Sequence, residues 1–361
     1  MTLHKFWKLP IALAALAGVA TCASAADFRG QRIEIIVPYE AGGGTDIYAR
    51  FLAPLLSEKL PGKPTVLVVN VPGAGAIAGG NQFERAKPDG LTVIAVGTSL
   101  TANYVFRDKR VKYKLADWIP IISSPNGTVV YANSSLGVKS SADIASLKGK
   151  SLVMGANNAT GGDLRVLLSL DGLGLKANEV FGLNRGDARP SFERGEFNLN
   201  FDSIAAYQAQ VRPLIESGVA VPLFSFGIAD DKGTIVRDPL APDVPTYNEV
   251  FKTANGKEPD GPAYKAWLAM FNLNIMAAKG LALPAGTPKD IVDTYNEAIK
   301  QVIAAFSDPK TKAQADDVVG PYPQAVGEAA GRALRGAATF DDETFNWLKT
   351  WLNERYKVSL D

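Results

Sequence analysis

The segment Val37-Pro38-Tyr39-Glu40-Ala41-Gly42-Gly43-Gly44-Thr45-Asp46 joins an apolar, strand-like run, Ile33 to Val37, to a helix-like one, Ile47 to Leu60. Three glycines let the backbone turn sharply and bring its N–H groups up to a ligand, while the following helix points its partly positive end at the same spot. The guest suited to such a loop is an anion, a carboxylate above all. The loop lacks both the Lys-Ser/Thr of a phosphate-binding P-loop and the G-x-G-x-x-G of a dinucleotide fold. Three later segments repeat its logic. Asn70 to Gly79 is a second strand end, glycine turn and helix start; Gly97-Thr98-Ser99 offers two hydroxyls beside freed amides; Gly155 to Asp163 opens another helix midway along the chain. Ligands of open α/β sheets sit outside the carboxyl ends of the strands. Four such loops, divided between two halves of the chain, imply a cleft between lobes.

Within these loops Ala41, Gly42 and Gly43 supply backbone amides, with the closest ligand approach expected at Gly43. Thr45, Thr98, Ser99 and Thr160 supply hydroxyls, Asn157 and Asn158 side-chain amides, and Gly161 and Gly162 more backbone. Tyr39 is placed to cover a ligand with its ring while donating its hydroxyl. Asp46 either stabilises the start of its helix or accepts a ligand hydroxyl, and Asp202 either braces a loop or meets ligand. Arg185 and Arg189 are candidates to fork onto a carboxylate. Glu40 reads as solvated, and Trp118 and Trp267 as packing.

Composition removes many other chemistries. Lys5 and Lys8 precede a short apolar stretch, Leu9 to Ala20, and Ala23-Ser24-Ala25 supplies the small residues of a cleavage site. Residues 1–25 are therefore expected to be an export leader, with lipidation at Cys22 the weaker variant, and the remainder to be a soluble periplasmic protein. The chain's single histidine, His4, and single cysteine, Cys22, both lie in that leader. The mature chain is thus expected to lack Ser-His-Asp and cysteine catalysis, disulfides, and zinc or iron–sulfur sites. No metal and no cofactor is expected. Loss of Lys5 and Lys8 takes 38 basic against 37 acidic residues to 36 against 37, a net charge of −1, which offers no basic field to nucleic acid. The 361 − 25 = 336 residues left exceed what one core usually serves, so two lobes are expected.

Short apolar runs alternate with helical patterns, the signature of α/β architecture. The strands read as Ile33–Val37, Thr65–Val69, Thr92–Val96, Val129–Ala132, Ser151–Met154, Asn198–Phe201 and Val221–Phe226. Helical stripes run through Ile291, Tyr295, Ile299, Val302 and Phe306, and through Phe345, Leu348 and Leu352. Pro54 is expected to kink or shorten the first helix, and Ala229 to Pro262 reads as an irregular surface excursion.

The ordered set VPYEAGGGTD, NVPGAGAIAGG, KPDG before a strand, VGTS, PDVPTYNE and LPAGTPKD resembles the Bug-type periplasmic receptors of tripartite tricarboxylate transporters, from about Ile33 to Asp308. That resemblance implies a two-lobed Venus-flytrap fold that closes over a small organic acid and delivers it to a permease with a large and a small membrane subunit, the receptor being expected as a monomer. It implies lobe I over 26–128 and 228–361, and lobe II over 129–227. It also implies that the loops Tyr39–Asp46 and Thr98–Ser99 of one lobe, and Gly155–Asp163 and Arg185-Gly186-Asp187-Ala188 of the other, enclose the ligand. The chain departs from the family pattern at Glu40, Ala76, the Asn157-Asn158 pair and Asp163, which bears on which acid is bound. Two other classes stay open: a secreted hydrolase using a carboxylate pair such as Asp46 and Asp163, and a flytrap receptor serving another transporter class.

Overall fold

A computed structural model describes residues 26–360 apart from Asn184, Asp231 and Thr339; the expected leader, with His4 and Cys22, lies outside the described residues. The strands among the described residues are β1 Arg32–Val37, β2 Thr65–Asn70, β3 Thr92–Gly97, β4 Ile119–Ser124, β5 Thr128–Asn133, β6 Leu152–Gly155, β7 Ala177–Val180, β8 Leu199–Ser203, β9 Ala220–Ser225, β10 Ile228–Ala229, β11 Ile235–Val236, β12 Lys279–Leu283 and β13 Ala325–Val326. Six form one sheet in the order β13-β4-β12-β3-β1-β2, and the rest fall into a three-stranded sheet β8-β5-β9 and the pairs β6-β7 and β10-β11.

Alternation along the strands explains why helices cover both faces. Ile33, Ile35 and Val37 of β1 join Val93 and Ala95 of β3 in a core shared with Tyr48, Leu52, Tyr295 and Ile299. Ile36, Ile94 and Val96, one residue out of phase, enter a second core with Phe83 and Trp118. The same split occurs in β5: Val130 and Ala132 face one cluster, Val129 and Tyr131 the other. β1 lies parallel to both β2 and β3, so the loops leaving β1 and β3 emerge side by side at one edge, where the chain order diverges.

Several expectations change in detail. Every strand read from the sequence is present, but β4, β7, β12 and the short β10, β11 and β13 are additional. Pro54 does not shorten its helix, which runs Gly44–Lys59, because Phe51, Leu52, Ala53 and Leu56 on either side of it are buried and hold the turn. The excursion after Ala229 contains the helix Tyr247–Asn255, begun by a capping box between Thr246 and Glu249. Tyr247 and Trp267 share one core with Leu164, Leu167 and Phe224 as well as with Ala102 and Val105, and Trp267 donates to Ser169 Oγ (2.7 Å) beside stacked Phe226 and Tyr264. Trp118 is likewise packed, edge-on to Phe83, and donates to Glu84.

The chain crosses from the first sheet to the second between β4 and β5. There Gly127 packs onto a buried pair in which the Tyr322 hydroxyl donates to Asp238 (2.6 Å), and a Cβ at residue 127 would collide with both groups. Burial raises the pKa of Asp238. Gly127→Ala is expected to lower stability by about 1–3 kcal/mol, read as a lower urea midpoint at unchanged slope.

Candidate functional site

A cleft of about 770 Å³ opens between the two lobes. Tyr39, Gly44 and Thr45 from the loop after β1, and Thr98 and Ser99 after β3, line one wall. Asn157, Asn158, Thr160, Gly161, Gly162 and Asp163 after β6, with Arg165 and Phe201, line the other.

The Tyr39 hydroxyl sits at the start of helix Thr98–Val105 and accepts from the Leu100 N–H (3.2 Å). That leaves its own proton available toward the cleft. Burial pushes its pKa up to about 12, against the lowering effect of the Leu100 and Ser99 amides, so it acts as a donor at neutral pH. Gly97 is what allows this approach: a Cβ there would stand 2.8 Å from the Tyr39 hydroxyl and 3.0 Å from Thr45 Oγ1.

Two of the amide-bearing loops, those after β1 and β6, are tied by a carboxylate at the head of the next helix. Asp46 is buried and accepts from Gly42 N (2.8 Å), Asn70 Nδ2 (2.9 Å) and Arg50 Nε (2.9 Å). Burial opposes its ionisation, but the Arg50 guanidinium, the Gly42 amide and Asn70 together leave its pKa below the usual range. Asp163 accepts from Asn157 N (2.5 Å) and Asn158 N (3.2 Å), and the Arg165 guanidinium donates to the Gly162 carbonyl and to Thr128 Oγ1 (3.2 Å).

Tyr39, Thr45, Thr98, Ser99, Asn157, Asn158, Thr160, Gly161 and Gly162 are thus gathered on one cleft, and the other candidates lie elsewhere. Ala41, Gly42 and Gly43 are exposed but do not line it. Gly42, not Gly43, has the left-handed backbone, φ +82°, and a Cβ at Gly43 would meet only the Glu40 carbonyl at 3.4 Å. Asp46 is off the wall, consumed by its loop. Of the carboxylates considered for hydrolysis only Asp163 reaches the cleft, and both accept loop amides. Glu40 is exposed. Ala188 is fully buried in the core with Tyr131 and Phe192. Asp202 is also buried, gripped by Arg189 through two hydrogen bonds (2.7 and 3.0 Å) and by the Tyr131 hydroxyl (2.7 Å), which removes both Asp202 and Arg189 from ligand contact. The backbone of Arg185 and Gly186 opens the helix Arg185–Glu193; the ligand contacts expected of these two residues lie outside what is described of them.

Sequence reasoning missed Asn126, Arg165, Phe201, Asn274 and Lys279, all on the cleft wall. Asn274 stands in a π-helical turn, Asn272–Met276, a form common near functional sites. Lys279 had a legible signal, as the only charge in the apolar run from Leu273 to Leu283. Among the described residues no group of three or more metal-ligating His, Cys, Asp or Glu side chains occurs, and no helix is long and apolar enough to cross a membrane.

The carboxylate tie at Asp46 is testable. Asp46→Ala should cost about 1–3 kcal/mol at pH 7 by stranding its buried donors. Because the folded pKa is depressed, this contribution is complete above the unfolded value of about 4 and fades as pH falls through the folded one. Urea denaturation at pH 7 and in acid checks it: the gap between parent and variant should narrow in acid, whereas an unchanged gap would assign the effect to packing.

No family model matches the chain. It is 25% identical to a UPF0065 protein from the tcbD-tcbE intergenic region of a Pseudomonas sp., over 95% of both chains. It is 36% identical to the BugT protein of Bordetella pertussis over 30% of this chain and 33% of that one. Among solved structures it resembles a TctC solute-binding protein from Polaromonas (TM-score 0.65, 23% identity, 90% of this chain and 98% of the other). A second is an R. palustris protein solved with adipate (TM-score 0.54, 20% identity, 86% and 95%). By sequence the chain is similar to these UPF0065 and Bug proteins, and it shares its fold with the TctC solute-binding protein.

Proposed function

We propose that the protein is a periplasmic receptor that binds a small organic carboxylate between its lobes and delivers it to the large and small membrane subunits of a tripartite tricarboxylate transporter. The observation that carries this reading is the inter-lobe cleft itself, lined by the hydroxyls of Tyr39, Thr45, Thr98, Ser99 and Thr160 and the amides of Asn157 and Asn158. The adipate in a structure of the same fold supports the ligand class, and the TctC likeness supports the transport role. Each hydrogen bond to a charged carboxylate contributes roughly 1.5–3 kcal/mol. About four to six of them cover the ~8 kcal/mol of micromolar affinity after ordering costs. Ligand contacts on both walls favour the closed form, because a population shifts only by the difference in affinity between states. Binding needs no metal and the receptor acts as a monomer.

Calorimetry against four- to six-carbon dicarboxylates, tricarboxylates and aromatic carboxylates is expected to find one that binds near micromolar affinity, equally well in chelator. Abolition by chelator and rescue by calcium or magnesium would overturn the metal-free account, and silence across the panel would overturn the ligand class.

Scattering should then show a smaller radius of gyration with that ligand than without. A side chain at Gly161 would press on Asn158 (2.7 Å) and one at Gly162 on Arg165 (3.2 Å). Replacing Thr160-Gly161-Gly162 with bulkier residues should therefore weaken binding and reduce compaction. Full compaction of this variant at saturation would show that lobe II closes without the loop.

A further inference from the structure

Lys279 opens β12 in the middle of the first sheet, paired with Gly97 of β3 and Ser124 of β4, and its side chain lies on the cleft wall. Its ammonium donates to the Val318 carbonyl (3.2 Å) and stands 6.0 Å from the centre of the Tyr48 ring. It would also lie 4.0 Å from a Cβ built on Gly44. Gly44 and Thr45 begin the sixteen-residue helix Gly44–Lys59, so a half-buried cation and a partly positive helix end meet on one patch of the wall. Among the described residues Lys279 forms no ion pair. Asp317, the acidic group that acts on it through space, is exposed, and Asp46, closest along the helix, is held by Gly42, Asn70 and Arg50. Burial draws the Lys279 pKa down by more than the Asp317 charge raises it, the mark of an ammonium that has lost water without a carboxylate in contact to replace it. A lysine serving only to brace Val318 would use one of its three donors and would have no reason to reach the cleft.

We propose that Lys279 is the charged anchor for one carboxylate group of the ligand on the lobe I side, with Thr45 and the amides at the head of its helix completing the grip. This rests on the receptor reading above and sharpens it: this wall selects an anion over the isosteric amide, with a full charge in addition to loop amides.

The test uses the full mature protein and a carboxylate that the parent is found to bind in the calorimetric panel, adipate being the first probe. Lys279→Met and Lys279→Gln are compared with Lys279→Arg, and with Lys289→Met at an exposed lysine. Both neutral variants should bind at least about tenfold more weakly, Lys279→Arg within a few fold of the parent, and Lys289→Met unchanged. The parent's affinity should fall as salt rises from about 50 to 500 mM, and that dependence should flatten in Lys279→Met and Lys279→Gln. A structural brace would lower affinity without changing the salt slope. Unchanged affinity in either folded neutral variant, or an unchanged slope, overturns the anchor while leaving the receptor reading intact. A parent that binds no carboxylate in the panel overturns the receptor reading itself. Circular dichroism identifies a variant that fails to fold, in which case the other neutral variant decides.

Discussion

A loop that faces an anion must hold its shape before the anion arrives, and here buried carboxylates take up some of the loops' own N–H groups to set them in place. Asp46 ties Gly42 and reaches Asn70, whose side chain also donates to the Tyr39 carbonyl (3.1 Å), so one carboxylate locks the loops after β1 and β2 together. Asp163 does the equivalent work for Asn157 and Asn158. Fixed negative charge behind an anion site would oppose binding if left bare. Arg50 offsets Asp46 at 2.9 Å, and the two loop amides offset Asp163. The cleft's shape is thus set by the protein's own hydrogen bonds, which reduces the ordering cost of binding.

The same logic explains where the arginines of lobe II go. Asp202, on β8, is buried and must be paired. Arg189 meets it in a fork, Tyr131 donates to it, and Asn200 donates in turn to the Tyr131 hydroxyl (2.8 Å). Removing either member of such a buried pair strands a charge. The network therefore fixes the helix Arg185–Glu193 against the sheet, and the cleft wall in this lobe is formed by the loop after β6 with Arg165 and Phe201.

Much of this was legible in the sequence, and the misses have physical causes. The strand-loop-helix order and its alternation gave seven strands, and nine of the candidate residues line the cleft, because local chain order alone places loops at strand ends. Asp46 and Asp202 were candidates on the strength of position and Ala188 on the strength of the family resemblance; their burial depends on partners 24, 71 and 33 residues away, Asn70, Tyr131 and Gly155. Gly43 was favoured over Gly42 because a run of three glycines does not disclose which one takes the positive φ. β4 and β12 were missed since Pro120 and Lys279 interrupt apolar runs that would otherwise read as strands. The capping box at Thr246 and Glu249 was present in the sequence and outweighed by the Pro, Asp and Gly around it.

The two walls of the cleft are chemically unequal, and that inequality bears on closure. The first wall carries Lys279 beside the head of a long helix; the second carries amides and hydroxyls, with Arg165 held by Gly162 and Thr128. In the open form an ammonium facing water attracts a carboxylate weakly, since solvent screens the pair. Closing the second wall over the ligand removes that water, strengthens the attraction and replaces the lost hydration with the hydrogen bonds of Asn157, Asn158 and Thr160. A neutral ligand of the same shape would gain the second set of contacts without the first. On the anchor we propose, charge on the ligand contributes to the difference in affinity between open and closed forms, and that difference is the quantity that drives the lobes together.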